Sequence, residues 1–353
     1  MNNADFFMAT NSPDGFYSLF NELYDPYSDW QMYILKGGPG TGKSTILKAV
    51  AEKAQQSGLF TEIIHCSSDP HSLDAVIIPE IKTAIADGTA PHIINPVFPG
   101  VCEHTVDLSG CWNSEQLKND TSKIKMFYMT NSAAHKKSVK YLKAADLLNK
   151  EIKSYIEKLT DYDKIERFAL RFADTHFNSE SDLFHVKHRI LNTFTPDGIT
   201  IFTDTIDFYC DYKIIINDSY YISHIILDKI YNHATKKKIS MIISKNPMDP
   251  DNKINHLIFP DLRFGIFTSD DYIHLKGNKN VSTTRFINKD ELSKIRNIIL
   301  FLKKAEGELI GETIESLKTA KSAHDILENY YINSMNFEKV DIIKNKLIND
   351  IFK

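Results

Sequence analysis

The strongest constraint on this chain lies between Tyr33 and Val50, in the stretch YILKGGPGTGKSTILKAV. Gly37 is followed, after four residues, by Gly42, Lys43 and Ser44, the spacing GxxxxGK[ST]. Tyr33-Ile34-Leu35 before it is an apolar run of strand type. After it, Thr45 to Ala54 reads as a helix with Ile46, Leu47 and Val50 on one face. Glycines let a backbone wrap closely around an anion, because no Cβ stands in the way. The N–H groups of Gly40 to Ser44 would then point inward, and the helix start adds its partial positive charge. The pattern predicts phosphate binding by Gly37, Gly38, Pro39, Gly40, Thr41, Gly42, Lys43, Ser44 and Thr45. Lys43 would reach the β- and γ-phosphates of ATP, and the Ser44 hydroxyl would be a ligand of Mg²⁺. The plain alternative is a glycine-rich turn at a helix start.

A P-loop needs a carboxylate near Mg²⁺, usually at the end of an adjacent apolar strand. Asp87 follows the strand-like Lys82 to Ala86 directly and is the first candidate for both catalysis and metal binding. Asp69, after the strand-like Leu59 to Cys66, is the second catalytic candidate beside Lys43. Both also suit plain turns, as Asp-Gly and Asp-Pro pairs do. Glu80 is a candidate water-activating base or a simple boundary residue. His92, in the loop beyond Asp87, would contact phosphate or a second substrate, or be structural. Phe16 and Tyr17 would stack on a base or pack in the core. His104 and Asp107 have no metal-ligand spacing. Six of the 42 basic residues are arginine and the first is Arg167, so an arginine finger has few candidates: Arg167 and Arg171, which also suit a solvated helix face, and Arg263 are options.

Along the chain, Ser72 to Glu80 reads as a short helix or a loop, and His104 to Leu108 as a strand. From Ser114 to about Phe172 there is neither proline nor glycine, which predicts a helical arm of two or three helices. The second half repeats this order. Thr195-Pro196-Asp197-Gly198 echoes Ser12-Pro13-Asp14-Gly15, and Asp249-Pro250 echoes Asp69-Pro70. Ile258 to Asp261 echoes Ile77 to Glu80, and Leu317 to Ala320 echoes Leu142 to Ala145. The expected architecture is α/β: a P-loop NTPase fold in two tandem copies with mainly parallel sheets, each with a helical arm. The copies would span residues 1–175 and 185–353, joined near Ala173 to His188. In the second copy Ser223 stands where Lys43 stands, and Tyr220, Tyr221 and Ile222 replace the glycines and threonine. Thr268 replaces Asp87. That half is expected to bind no triphosphate through its loop.

With 353 residues, 42% hydrophobic and 25% charged, the composition is that of a globular protein. A net charge of −4 gives no pull toward nucleic acid or anionic lipid. Cys66, Cys102, Cys111 and Cys210 lack CxxC pairing and read as reduced thiols in a cytoplasmic protein. The N-terminus lacks the pattern of a signal peptide, and no segment reads as a membrane span.

The chain resembles a group of uncharacterised bacterial ATP-binding proteins with tandem P-loop domains. The likeness rests on Gly37 to Thr45 (GGPGTGKST), His65 to Pro70 (HCSSDP), Ser72 to Glu80 (SLDAVIIPE) and Asp87 to His92 (DGTAPH). It covers nearly the whole chain and implies ATP binding or ATPase activity. Members of the group often keep a P-loop in both halves, and this sequence departs from that in its second. Three functions follow: slow ATP hydrolysis at one site, phosphoryl transfer to a small molecule or nucleotide, or a non-enzymatic ATP switch whose arms bind a partner protein.

Overall fold

The computed structural model describes residues 2–177, 181 and 183–353. The first half runs β1 (Asn3–Phe7), β2 (Ala9–Ser12), β3 (Gly15–Ser18), β4 (Gln31–Lys36), α1 (Lys43–Gln56), β5 (Thr61–Cys66), β6 (Asp69–Ile78), β7 (Thr83–Asp87) and β8 (Glu103–Asp107). Helices α2 (Ser114–Asn119), α3 (Thr121–Glu157) and α4 (Tyr162–His176) follow. The second half runs β9 (Val186–Arg189), β10 (Asn192–Thr195), β11 (Gly198–Ile201), α5 (Thr203–Tyr209), β12 (Tyr212–Asn217), α6 (Ser223–Lys236), β13 (Met241–Lys245), β14 (Ile254–Phe259), β15 (Phe264–Ser269) and β16 (Lys279–Ser282). It ends in α7 (Lys289–Ile332) and α8 (Phe337–Ile351). Part of the expected join near 173–188 lies outside the described residues.

Two six-stranded sheets result, ordered β1-β5-β6-β7-β4-β8 and β9-β13-β14-β15-β12-β16. Each is mostly parallel, with one reversed strand, β6 or β14. The reversed strand is a correction. Ser72 to Glu80 reads as a short helix or loop in sequence, yet Ser72 to Ile78 lies in β6, with Val76 opposite Ile63. Its buried run Ala75-Val76-Ile77-Ile78 packs on both faces of the sheet. A strand buried on both faces loses the alternation that distinguishes it from a helix. Asp69-Pro70 opens this strand rather than closing a turn, which Ser67-Ser68 makes.

The sheets face each other across one apolar layer, in which Phe6, Met8 and Ile34 meet Ile215, Ile242 and Phe267. At its centre Phe7 and Ile190 exchange backbone hydrogen bonds at 2.8 and 3.0 Å. Thr10 and Thr193 join hydroxyls 183 residues apart. Around this point Asp5 bonds Thr205 while His188 bonds Glu22. Such contacts have the form of an isologous interface, where i meets j and j meets i. A buried charge cluster lies beside it: Glu62 on β5 accepts from Arg189 and Lys187 on β9.

The helices pack crosswise. α3 spans 37 residues and α7 spans 44, about 55 and 66 Å at helical rise. They lie antiparallel, since Asn131 bonds Ala320 while Asn149 reaches Glu306. α3 carries the chain away from the first sheet, so that α4 lays Ile165, Ala169 and Phe172 against α6 and the second sheet. α7 returns, and α8 lays Val340 and Leu347 against α1 and the first sheet.

Candidate functional site

The P-loop pattern sits where the sequence predicts, between the end of β4 and the start of α1. Gly40 and Gly42 have φ of 66° and 89°, a left-handed region that residues with a Cβ rarely adopt. Thr41 Oγ1 donates to Gly38 O at 2.9 Å and closes the loop. Lys43 is 9% exposed, and its ammonium donates to Gly37 O at 3.1 Å and Gly38 O at 2.6 Å. Its third neighbour is Asp87 Oδ2 at 3.5 Å.

Asp87 reaches this position through the sheet register. β7 lies parallel to β4, with Asp87 opposite Leu35, the residue two before Gly37. Thr89 holds Asp87 Oδ1 through its N–H and hydroxyl, at 2.9 and 2.5 Å, which leaves Oδ2 toward Lys43. The Ser44 hydroxyl accepts the Leu73 N–H at 2.9 Å, and a hydroxyl oxygen retains a second lone pair. Hydroxyl and carboxylate oxygens are the hard donors that Mg²⁺ takes, one or two from protein and the rest from phosphates and water. The donor set therefore fits that ion. Among the described residues no cluster of three or more His, Cys, Asp or Glu could hold a metal by protein groups alone.

The other candidates are placed differently. Asp69 Oδ2 lies 3.3 Å from Lys321 on α7, while its Oδ1 accepts the His71 N–H. Glu80 sits in the turn between β6 and β7, at the end of the strands opposite the loop, and accepts the Phe60 N–H at 2.9 Å. His92 is 7% exposed, stacked on Phe20 at 4.0 Å and paired with Asp74 at 3.1 Å. Phe16 packs on the same ring and Tyr17 on the intersheet core. His104 meets Gln31, and Asp107 caps Ser109. Arg263 sits just before the start of β15, bound to Asp211, at the opposite end of the strands from Thr268. Arg167 and Arg171 are exposed on α4, which packs on the second sheet.

Residues from the other end of the chain complete the surroundings of the loop. Glu328 Oε1 accepts the Gly40 N–H at 3.1 Å, and the Tyr331 ring covers Gly38. His324 lies beside Glu328 at 3.5 Å. That ring's hydrogen bond, ahead of the opposing effect of burial, holds the Glu328 carboxyl below its ordinary range. Nearly three hundred residues separate this helix end from the loop, and no local pattern in the sequence connects them.

The corresponding stretch of the second half is closed by its own carboxylate. Asp218 is 3% exposed and accepts the N–H groups of Tyr220, Ile222 and Ser223 at 3.2, 3.2 and 2.6 Å, with the Thr283 hydroxyl at 3.1 Å. It thus occupies the start of α6, as an N-cap does. Replacing Asp218 with alanine leaves buried N–H groups without acceptors and should cost about 2 kcal/mol. A lower urea midpoint at unchanged slope would record it. Beside Asp218 is a cavity of about 70 Å³ lined by Asn149, Tyr221, His224, Lys253, Asp270 and Glu306. Burial pushes His224 down to about 3 and raises Asp270 and Glu306, so the cavity disfavours charge.

No family model, curated protein or solved structure matches the chain. Among the described residues no helix is long and apolar enough to cross a membrane.

Proposed function

We propose that the protein binds ATP with Mg²⁺ at Gly37 to Thr45 and hydrolyses it slowly at this single site. The observation that carries the reading is the placement of Lys43 against Asp87 at 3.5 Å, under a loop whose Gly40 and Gly42 turn through positive φ. On arrival of a phosphate chain, Lys43 exchanges the carbonyls of Gly37 and Gly38 for phosphate oxygens. The N–H groups of the first turn of α1 hold the inner phosphates. Ser44 and Asp87 would hold Mg²⁺, which when bound neutralises charge on the phosphates. Asp87 holds the Lys43 ammonium beside the loop.

The fold reading that accompanies this is a P-loop NTPase fold duplicated in tandem. Three observations support it: equal strand orders, contacts between positions 183 apart, and the shared place of Asp87 and Thr268 in their ladders. The second half has lost the site, since Asp218 holds the N–H groups a phosphate would need. The resemblance to tandem P-loop ATP-binding proteins points the same way, and four free cysteines support a cytoplasmic setting. A second reading, an ATP-dependent switch, is favoured by the seat of α7 on the loop.

Phosphate release from Mg-ATP tests the proposal. The wild type is expected to turn over, and Asp87→Asn to fall by roughly 100-fold, the loss typical when one preorganised charge leaves such a site. Tight ATP binding with no release would leave the switch reading. Absence of binding would defeat both.

A further inference from the structure

The loop apex is already in contact with an anion. In the reading above Lys43 reaches the β- and γ-phosphates and the N–H groups at the start of α1 hold the inner ones, which leaves the Gly40 N–H, three residues before Lys43, for the γ end of the chain. This N–H is the one that Glu328 holds. The backbone oxygen of Glu328 and the side chain of Ile332 stand only 2.8 and 3.0 Å from where a Cβ on Gly40 would be. A triphosphate cannot take this N–H while an ionised carboxylate occupies it, because both are anions and both are acceptors only.

The two carboxylates differ in how firmly they are held. Asp218 has four donors and is 3% exposed. Glu328 takes one N–H from the loop, and its side chain is 37% exposed. Of the two, Glu328 is the less constrained. The helix that carries Glu328 also carries Glu306 into the cavity of the second half, about 33 Å away along the same helix.

We propose that Glu328 makes this site distinguish a nucleoside triphosphate from a diphosphate, by holding the Gly40 N–H until a γ-phosphate displaces it and lifts the end of α7 off the loop. The inference rests on the ATP-binding reading above. A diphosphate ends short of Gly40 and leaves the contact intact. A triphosphate breaks it, and the shift travels along α7 to the second half.

Trp112 provides the readout. Its ring lies 6.1 Å from Tyr331, and the protein has one other tryptophan, Trp30. In a Trp30→Phe background, the β,γ-imido analogue of ATP with Mg²⁺ is expected to change Trp112 emission, and ADP with Mg²⁺ to leave it near the nucleotide-free value. Calorimetry on the same protein gives both affinities. Glu328→Gln keeps the shape and removes the like charge, so it should tighten the triphosphate analogue about 10-fold and leave ADP within about 2-fold. Glu328→Ala should do the same, which guards against a repacked glutamine. If both variants keep the wild-type ratio of affinities, or emission responds equally to both nucleotides, the role of Glu328 is overturned while ATP binding stands. If the wild type binds neither nucleotide, or Lys43→Ala binds both as well as the wild type, the P-loop reading falls and this inference with it.

Discussion

Lys43→Ala should bring phosphate release from Mg-ATP to background, at least about 100-fold below the wild type, and should weaken ATP binding as well. The effect is large because nothing nearby can substitute. Lys36 is the other lysine at the loop, and its ammonium is committed to the carbonyls of Gly88 and Ile94. Lys43→Arg should fare little better. The ammonium sits among Gly37 O, Gly38 O and Asp87 as a compact point charge, and a planar guanidinium cannot take that place. Neither variant should melt far below the wild type, because Asp87 keeps both hydrogen bonds from Thr89. Circular dichroism melts run beside the assay would separate lost chemistry from lost fold.

The largest loss of stability is expected from Glu62→Ala. Glu62 is fully buried, and Arg189, which bonds it at 2.8 and 2.6 Å, is 4% exposed. Removing the carboxylate leaves a guanidinium buried without its partner, a cost of about 3–5 kcal/mol. Most domains have only about 5–15 kcal/mol in total, so the melting temperature should fall by an amount plain in a calorimeter scan. Replacing Glu62 and Arg189 together by methionine should restore most of the loss, since the buried guanidinium leaves with the carboxylate and the part-exposed Lys187 can turn to water. The pair also predicts acid sensitivity. Burial alone would raise the Glu62 carboxyl, but Arg189 and then Lys187 hold it down at about 2, against an ordinary value of 4.5. A lowered folded-state pKa stabilises above the unfolded value and loses that stabilisation as pH falls. Wild-type stability should therefore drop between about pH 4.5 and 2, and the double methionine variant should drop less. Urea midpoints across that range would check it.

What the sequence made legible was local. GxxxxGK[ST] needs one strand, one loop and one helix start, and all three occur within eighteen residues. Asp87 was legible because a strand end is a place as well as a composition. β6 was hidden because both its faces are buried. The exchange of α4 and α8 was hidden for a different reason: periodicity shows that Phe172 or Val340 must face something apolar, but not which sheet. Glu328 was hidden by distance along the chain. Asp218 stands in the sequence just before Tyr220 to Ile222, but only coordinates show its carboxylate on the N–H groups of Ile222 and Ser223.

The crosswise packing of the helices also sets an order on synthesis. When α4 emerges from the ribosome, the surface it will cover is still untranslated, because α6 begins at Ser223. Ile165, Ala169 and Phe172 must wait in water. In the other direction, the apolar patch of the first half that Val340 and Leu347 seal stays open until α8 has been made. Contacts so far apart close slowly, and apolar surface left waiting invites association with other nascent chains. Two truncated first halves could trade helices with each other as the finished halves do. The geometry that joins the P-loop to α7 and α8 thus makes the newborn first half dependent on helices made nearly three hundred residues later.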